Sequence, residues 1–370
     1  RRQRQMCIRD SIRPVPVDSV TVTTIMDNGA DLLAPAAAKA RAVTFAGPRP
    51  ASPVFDSGER FEGLVGEHGF SALLEIRRGD RTMRVLYDAG LTPFGVRDNM
   101  RRLGVDPRDV EALVMSHGHF DHTTGLEGIL ADFGRSGIPM VLHPDFWTRR
   151  RLKLEGTEPI EIPTPSRSFV RGSGVQVIEE AAPSLLFDGG LLVTGEVDRT
   201  TDYEPGMPNQ QAWREGAWVG DARTADDQAA LIDVAGKGLV VITGCGHAGI
   251  VNILRYAQKL TGIERIYAVI GGFHLTGKVY APIIDRGTVI PCSRTKNFYT
   301  VEDLQRAITI QVYQGEHAMC RDNTKLGQYT VAELPAKPGG EQGVEVRFTY
   351  DLNGLLEVEM HVLGTERREH

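Results

Sequence analysis

The stretch Ser116-His117-Gly118-His119-Phe120-Asp121-His122 places three imidazoles and a carboxylate within one short segment. An apolar run at residues 112–115 precedes it and predicts a buried strand that ends directly before the histidines. The motif is therefore expected on a loop at the carboxyl end of a strand. There, a rigid sheet holds the side chains while they remain open to a ligand.

The spacing of these side chains favours two adjacent metal sites. Because side chains alternate along extended backbone, His117 and His119 can both face one cation. Asp121 and His122 follow about one turn later and can bind a second cation beside it. Imidazole and carboxylate suit Zn²⁺, with Fe²⁺ and Mn²⁺ as alternatives that ligand type alone does not separate. The competing interpretation is a polar loop with solvated histidines.

Two such cations would predict hydrolytic chemistry. A metal pair lowers the pKa of a bridging water towards neutrality and supplies hydroxide at pH 7. Asp121 is the candidate catalytic residue, since its carboxylate can orient that water or carry its proton.

The composition limits the class of protein. The chain has 370 residues, of which 41% are hydrophobic and 24% charged, which predicts two domains. The formal net charge of −6 argues against a nucleic-acid partner. The apolar runs are far shorter than the roughly 20 residues that cross a bilayer, so no membrane span is expected. Cys7, Cys245, Cys292 and Cys320 are widely spaced, which predicts a reducing compartment, the cytoplasm.

The chain around the motif has an α/β pattern. A β-branched strand is predicted at residues 20–26, followed by a hairpin of residues 70–76 and 83–87 around Arg78-Gly79-Asp80. Helical periodicity spans residues 96–103, and further apolar strands are predicted at residues 239–243 and 266–270.

Several short motifs resemble the metallo-β-lactamase superfamily, and more closely its dihydropterin synthase-like branch. They are spread over residues 20–275 and comprise Met26-Asp27-Asn28, Glu67-His68-Gly69-Phe70-Ser71, Leu86-Tyr87-Asp88-Ala89-Gly90, the histidine motif, His143-Pro144-Asp145, Thr194-Gly195-Glu196, Asp226-Asp227-Gln228, Thr243-Gly244-Cys245-Gly246-His247-Ala248-Gly249 and Gly271-Gly272-Phe273-His274. The resemblance implies a four-layered αββα sandwich with a dinuclear metal site at one edge.

The same resemblance implies roles for acidic residues outside the motif. Asp88 resembles the acidic residue beneath the site that orients the metal-binding loop, with a surface turn as the alternative. Asp226 and Asp227 stand where many relatives have their next histidine, and of the two we predict Asp227 as a metal ligand. A helix or turn cap is the alternative for this pair.

Two later histidines are further candidate ligands. His247 lies among glycines that let the backbone turn sharply after a strand, which favours a metal ligand over a structural role. His274 follows the next strand and is expected to bind metal or substrate, unless it is a core or edge histidine. Cys245 is close enough to compete but is interpreted as a small buried residue. The resemblance implies that Asn28 and Glu67-His68 are substrate-side or hairpin residues, with turn chemistry as the alternative, and His143 is expected to have a structural role.

The carboxyl-terminal part has a different pattern. Alternating strands with Asn-Gly and Pro-Gly turns run from residue 280, starting with residues 280–291, and predict an antiparallel β-sandwich. Residues 280–362 resemble the peptide-binding β-subdomain of DnaK-type heat-shock chaperones, particularly the HscC-like members. By that resemblance Val301 arches over an extended hydrophobic peptide and Ile308 lines its pocket, whereas core packing is the alternative that we favour.

These patterns predict three segments: residues 1–11, 12–277 and 278–370. The first resembles a translated sequencing adapter, with a disordered basic arm as the alternative. The second is expected to be a metallo-β-lactamase-like domain truncated at its carboxyl end, since its relatives continue past Gly272-Phe273-His274 with a further ligand segment. The third is expected to be a partial sandwich that lacks opening strands and a lid. Their abrupt junction favours a metagenomic chimera over an evolved fusion.

The predicted function is that of a metal-dependent hydrolase whose metal-bound hydroxide attacks a small substrate of a phosphorylated or pterin-like kind. A lactone or a phosphodiester stays open as the substrate. The alternatives are a peptide-binding chaperone fragment and a chimera that binds metal without turnover.

Overall fold

The computed structural model describes residues 11–29, 49–133, 137–153, 158–201, 204, 206–273, 283–284, 288–300, 304–315, 320, 323–337 and 341–369. The chain divides into two compact units, Arg1–His274 and Leu275–His370. Neither the division after His274 nor any other observation tests the segment boundaries predicted at residues 11 and 277, which stay predictions.

The first unit mixes strands with short helices. In chain order its elements are β1 (Ser19–Met26), β2 (Ser71–Arg78), β3 (Arg81–Tyr87), α1 (Gly95–Arg102), β4 (Ala112–Val114), α2 (Phe120–Thr123), α3 (Leu126–Phe133), β5 (Pro139–Leu142), β6 (Arg150–Leu152), β7 (Ile160–Ile162), α4 (Arg167–Gly172), β8 (Gln176–Glu179), β9 (Ser184–Leu186), β10 (Leu191–Val193), β11 (Gln210–Arg214), β12 (Ala217–Gly220), β13 (Ala229–Val234), β14 (Gly238–Thr243), α5 (Ile250–Thr261) and β15 (Ile266–Gly271).

One sheet carries the histidine motif. Its strand order is β1-β2-β3-β4-β5-β8, antiparallel from β1 to β3 and parallel from β3 to β8. The predicted hairpin is confirmed: β2 and β3 meet at Gly79, which has a φ of 61° and donates its N–H to Asp18. The parallel strands align their carboxyl ends at one edge, and the motif follows β4 there.

A second sheet packs against the first. Its order is β15-β14-β13-β10-β9, with β14 and β15 parallel and the other pairs antiparallel. A smaller sheet, β12-β11-β6-β7, lies in the same unit.

The hydrophobic core is divided into layers by the alternation of side chains along the strands. Leu73 and Leu86 of the first sheet pack with residues of α1 and α3, whereas their neighbours Leu74 and Val85 pack between the two sheets. Alternate residues of the second sheet, such as Leu231, pack with α5. The layers are thus helix, sheet, sheet and helix, and the predicted αββα sandwich is confirmed.

The second unit is built of antiparallel strands. They are β16 (Cys292–Tyr299), β17 (Ile308–Gln314), β18 (Thr324–Val331), β19 (Gly343–Tyr350), β20 (Leu356–Val362) and β21 (Arg368–Glu369). One sheet has the order β16-β19-β20-β21 and the other consists of β17 and β18. Val331 of one sheet and Val344 of the other share a buried cluster, as the predicted sandwich requires.

One strand prediction in this unit is wrong. Of residues 280–291, the described ones (283–284 and 288–291) lie in no strand, and β16 begins only at Cys292. Pro291 has no N–H to donate to a ladder, which accounts for the later start. None of the helices in the described part of the chain is long and apolar enough to cross a membrane.

Candidate metal centre

The candidate site lies where loops of the two facing sheets meet. Asp88 follows β3, and His117 to His122 follow β4 and run into α2. From the second sheet, Asp226 and Asp227 precede β13, and Cys245 and His247 follow the adjacent β14. A side chain at Gly244 would collide with the Ser116 hydroxyl, so glycine lets the two loops approach.

Four imidazoles are buried together at this edge. His117 stands in the middle, with ring centroids 4.5 Å from His119, 4.4 Å from His122 and 4.8 Å from His247. Potential ligand atoms come together in two groups, and within each group they all lie within 4.8 Å of one another. One group consists of His117, His119 and His247, and the other consists of His117, His122 and Cys245. The sequence motif and the glycine-rich loop are therefore brought together as two neighbouring ligand sets that share His117.

Asp88 anchors the second of these sets. Its Oδ2 lies 2.7 Å from His122 Nδ1 and also accepts the Ser116 hydroxyl at 2.7 Å, while its Oδ1 accepts the Ser116 N–H at 2.6 Å. The Ser116 Oγ in turn lies 2.8 Å from His117 Nδ1. The Ser116 hydroxyl donates to Asp88, so its oxygen accepts from His117 Nδ1–H and His117 Nε2 keeps its lone pair, while His122 Nδ1–H donates to Asp88 directly.

Cys245 and Asp121 converge on the same imidazole. Cys245 Sγ lies 3.0 Å from His122 Nε2 and 3.8 Å from Asp121 Oδ2, and that Oδ2 lies 3.3 Å from His122 Nε2. Thiolate, carboxylate and imidazole are all ligands of Zn²⁺. The structure therefore offers Cys245 a role beyond the packing role expected of it from the sequence.

The two neighbouring aspartates have different surroundings. Asp226 uses both oxygens: Oδ1 accepts from Arg150 at 2.5 Å, and Oδ2 accepts the Gly118 N–H at 2.7 Å. Asp227 Oδ2 accepts the Ala248 N–H at 2.8 Å, and its Oδ1 is buried without a hydrogen-bond partner among the described residues. Asp227 belongs to neither ligand set, and its predicted role as a ligand stays a prediction.

The electrostatics of the cluster suit a cation. Burial lowers the pKa of His119 to about 4 and lowers the pKa of His117 well below its usual range, so both imidazoles are neutral. Burial alone would raise the pKa of Asp121, but the hydrogen bond and charge of His122 lower it to about 2. Burial also opposes the charging of His122, yet Cys245, Asp88 and Asp121 raise its pKa well above the usual range. The negative groups around His122 therefore favour a positive charge at this position, which a bound metal ion would also supply. Burial raises the pKa of Asp227 to about 7.

Orphaned polar atoms provide a test of whether these residues fit a metal. His117 Nε2 and His119 Nε2 are buried and make no hydrogen bond within the described residues. Buried polar atoms without partners are costly, and a coordinated cation would satisfy them. The residues present therefore fit divalent metal ions.

The remaining candidates lie around this centre. The Glu67 carboxylate accepts the Leu91 N–H at 2.7 Å and the Thr92 hydroxyl at 2.6 Å, as a turn residue does. The side chain of His68 is 71% exposed, with its Nε2 4.0 Å from Asp121 Oδ2. Asn28 is exposed and donates its N–H to Asp27, and His143 Nδ1 accepts the Asp145 N–H. His274 and Val301 lie outside the described residues, and Ile308 is buried in the core of the second unit.

Sequence reasoning did not foresee the parts played by Ser116 and Arg150. Ser116 directly precedes the motif, but its hydrogen bond to His117 depends on an aspartate 28 positions away. Arg150 pairs with Asp226 across 76 positions, and no local pattern predicts such a contact. Arg150 is the middle residue of the run Arg149-Arg150-Arg151, and nothing in that run marks it as the buried one.

A family model described as the metallo-beta-lactamase superfamily matches residues 66–259, a range that contains every described member of the two ligand sets. That range is more than half of the chain. The chain belongs to the metallo-beta-lactamase superfamily. Members of this superfamily generally bind divalent metals, usually zinc.

Two relatives of this chain are proteins of Methanocaldococcus jannaschii. The 7,8-dihydropterin-6-methyl-4-(beta-D-ribofuranosyl)-aminobenzene-5'-phosphate synthase is 31% identical over 218 residues, covering 56% of this chain and 71% of the synthase. An uncharacterized protein of the same organism is 33% identical over 218 residues, covering 59% of this chain and 76% of the relative. The predicted resemblance to a dihydropterin synthase-like branch is confirmed.

The carboxyl-terminal part matches a second family. A model described as Hsp70 protein matches residues 242–370, overlapping the first match between residues 242 and 259. Chaperone protein DnaK of Nitrosopumilus maritimus is 43% identical over 96 residues, which is 26% of this chain but only 15% of the chaperone. The prediction that the chain joins parts of two different families is thereby confirmed.

Solved structures with some likeness include a quorum-quenching N-acyl homoserine lactone lactonase. It is 14% identical, with a TM-score of 0.36 over 70% of this chain and 93% of the lactonase.

Proposed function

We propose that this chain is a metal-dependent hydrolase that acts on a small molecule. The observation that carries the proposal is the pair of ligand sets at one sheet edge, which share the buried His117 and include His122 and Cys245. Burying four imidazoles next to ionised carboxylates is costly, and apolar side chains would pack this space better. Membership of the metallo-beta-lactamase superfamily supports the same conclusion.

The described residues suggest how two ions would be held. His117, His119 and His247 would bind one ion, and His122 with Cys245 and Asp121 would bind its neighbour. Imidazole, thiolate and carboxylate together favour Zn²⁺, while Fe²⁺ and Mn²⁺ remain alternatives. From the sequence, Asp227 and His274 are retained as further candidate ligands, and Asp88 is proposed to orient the imidazoles.

The chain's own groups would then serve hydrolysis. Bound divalent ions would supply Lewis acidity, which activates water and stabilises negative charge on the substrate. With a pKa of about 2, the Asp121 carboxylate is ionised at neutral pH and can orient a water by accepting its hydrogen bond. Because His68 lies beside Asp121 and is 71% exposed, this side of the site is accessible to a substrate.

A phosphorylated or pterin-like substrate is the class that we favour. The support is the relative whose name describes the synthesis of a pterin-bearing 5'-phosphate, of which this chain covers 71%. A lactone and a phosphodiester are the competing substrates, because the same chemistry attacks a carbonyl carbon or a phosphorus centre.

The experiment is to compare the wild-type chain with a double variant, His117→Ala and His119→Ala. We expect elemental analysis of the purified wild type to find bound zinc, and the double variant to lose the ion of the His117, His119 and His247 set together with hydrolysis of a phosphorylated pterin-like ester, a phosphodiester or a lactone. The matched control is His361→Ala, which removes a histidine of the second unit that contacts Thr365. Equal metal content in all three chains would contradict the metal centre.

A second candidate function is peptide binding by the carboxyl-terminal unit. The Hsp70 match over residues 242–370 favours it, and Val301 and Ile308 are the residues it would use. Against it, Ile308 is only 9% exposed and packs in the core. The test is to titrate the full chain into a fluorescent extended hydrophobic peptide and to measure the fluorescence anisotropy, which rises if the peptide binds.

A third candidate is a chimera that binds metal without turnover. It would contain zinc but would show no hydrolysis.

We also propose that the chain works in a reducing compartment such as the cytoplasm. Cys245, Cys292 and Cys320 are free thiols, and Cys245 has its proposed role as a thiolate ligand. An oxidising compartment would put such a ligand at risk of disulfide formation.

A further inference from the structure

A buried arginine stands behind the candidate metal centre. Arg150, the first residue of β6, is fully buried with 0% relative exposure. Its guanidinium contacts Asp226 at 2.5 Å and Asp221 at 2.9 Å, and both carboxylates are buried with it. A buried charge is costly unless it is paired, and even a paired one often stabilises a fold no better than apolar packing. This group therefore calls for an explanation other than stability.

The backbone of the histidine motif supplies that explanation. Asp226 Oδ2 accepts the N–H of Gly118 at 2.7 Å, and the Arg150 guanidinium reaches the same oxygen at 3.2 Å. Gly118 is the residue between His117 and His119, so its peptide sets how the two imidazoles are spaced. The carboxylate thus joins the buried guanidinium to the backbone between two proposed ligands.

The space beside the Gly118 Cα is closed as well. A side chain at this position would collide with the Phe146 carbonyl oxygen, and Phe146 is itself fully buried. Gly118 is therefore packed closely against the Phe146 backbone while its N–H donates to the Asp226 carboxylate. On the far side of the guanidinium, Asp221 also accepts from Gln210 at 3.1 Å, which fixes the arginine from behind.

We propose that Arg150 and Asp226 are positioning residues of the metal centre: the ion pair holds the Gly118 peptide so that His117 and His119 face one cation. The inference rests on the proposed function, since it requires these two histidines to bind metal. Residues that fix metal ligands from outside usually change metal affinity by about 10–100-fold when they are altered. Neither residue touches a substrate, so a mutation should act through the affinity for metal.

The test is Zn²⁺ titration calorimetry on the full chain, comparing the wild type with Asp226→Asn. The amide keeps the shape and one accepting oxygen but loses the charge that holds Arg150. We expect the variant to bind Zn²⁺ about 10–100-fold more weakly at the His117 and His119 site. The absorption spectrum of the Co²⁺-loaded variant should also shift, because the ligand geometry changes.

Two further variants separate positioning from stability. Arg150→Lys keeps the positive charge but not the two-pronged contact, and it should weaken Zn²⁺ binding less than Asp226→Asn does. Asp221→Asn alters the same guanidinium at its Nε, away from the oxygen that accepts from Gly118, and it should weaken Zn²⁺ binding far less than Asp226→Asn does. The melting temperatures of both variants show whether they fold. If Asp226→Asn does not fold, the Zn²⁺ affinity of Arg150→Lys is the test.

The outcomes distinguish this inference from the proposed function. If the wild type binds Zn²⁺ and the folded Asp226→Asn and Arg150→Lys variants bind it equally well, with only their melting temperatures lowered, the ion pair is merely structural and the inference is overturned. If the wild type itself binds no Zn²⁺, the proposed function fails first. Weakened binding with an altered Co²⁺ spectrum supports both.

Discussion

The two ligand sets of the candidate centre are held in place by different means. In the set of His117, His122 and Cys245, the Asp88 carboxylate contacts His122 directly and reaches His117 through Ser116. In the set of His117, His119 and His247, the His247 Nε2 lies 3.0 Å from the His119 Nδ1. The anchor of that set acts on the backbone beside His119, where Asp226 accepts the Gly118 N–H.

This difference separates two requirements for a metal ligand. An imidazole must present a lone pair, which a hydrogen bond to its other nitrogen ensures, and it must point at the ion, which the backbone ensures. Asp88 serves the first requirement and Asp226 the second. His117 alone is served by both, as befits the residue that the two sets share.

The largest expected effect comes from removing a ligand that belongs only to the set anchored by Asp88. Cys245→Ala deletes a proposed thiolate from the set of His122 and leaves the set of His119 and His247 intact. We expect elemental analysis to show the loss of one of two zinc ions while the other stays bound. Cys292→Ala, which removes a free thiol in the second unit, is the matched control. Unchanged zinc content would return Cys245 to a packing role.

The fold was largely predictable because its signals are local. The β2 and β3 hairpin follows from two alternating runs around Gly79, and α1 follows from helical periodicity. The strand before the motif was predicted for the same reason, as an apolar run that ends at a polar loop. The error at residues 280–291 has a local cause too, since alternating hydrophobicity there does not reveal that Pro291 cannot join a ladder.

The candidate site was predictable only where its residues share a motif. His117, His119, Asp121 and His122 are neighbours in the sequence, and the glycines around His247 mark a second loop. The hydrogen bond between Ser116 and Asp88, and the ion pair of Arg150 with Asp226, depend on which strands lie side by side. Pairings of this kind are set by tertiary packing, and one sequence does not contain them in any local pattern.

A smaller change would test whether Asp88 controls protonation of the imidazoles. Asp88→Asn keeps the shape, and asparagine tolerates the φ of 59° found here. Its amide would place a donor against His122 Nδ1–H, so His122 would protonate Nε2 instead and lose the lone pair for metal. We expect Zn²⁺ binding at this set to weaken about 10–100-fold by calorimetry. Asp132→Asn, at a carboxylate that pairs with Arg97, should leave binding unchanged; an equal loss in both would refute the role of Asp88.

The smallest expected effect sharpens the comparison most, because it separates the link to His117 from the rest of the Asp88 network. Ser116→Ala keeps the backbone N–H that Asp88 accepts but removes the hydroxyl between Asp88 and His117. Losing one hydrogen bond costs about 1 kcal/mol, or roughly fivefold in Zn²⁺ affinity.

Ser71→Ala is the matched control for that variant. Ser71 is a second fully buried serine, and its hydroxyl donates at 2.8 Å to the backbone carbonyl of the same Asp88, with no imidazole beyond it. Both variants should lower the melting temperature by similar amounts, since each loses one buried hydroxyl contact. Only Ser116→Ala should weaken Zn²⁺ binding, because only its hydroxyl fixes the proton on a proposed ligand. Equal Zn²⁺ affinities in the two variants would show that Ser116 supports the fold and that His117 needs no help to present its lone pair.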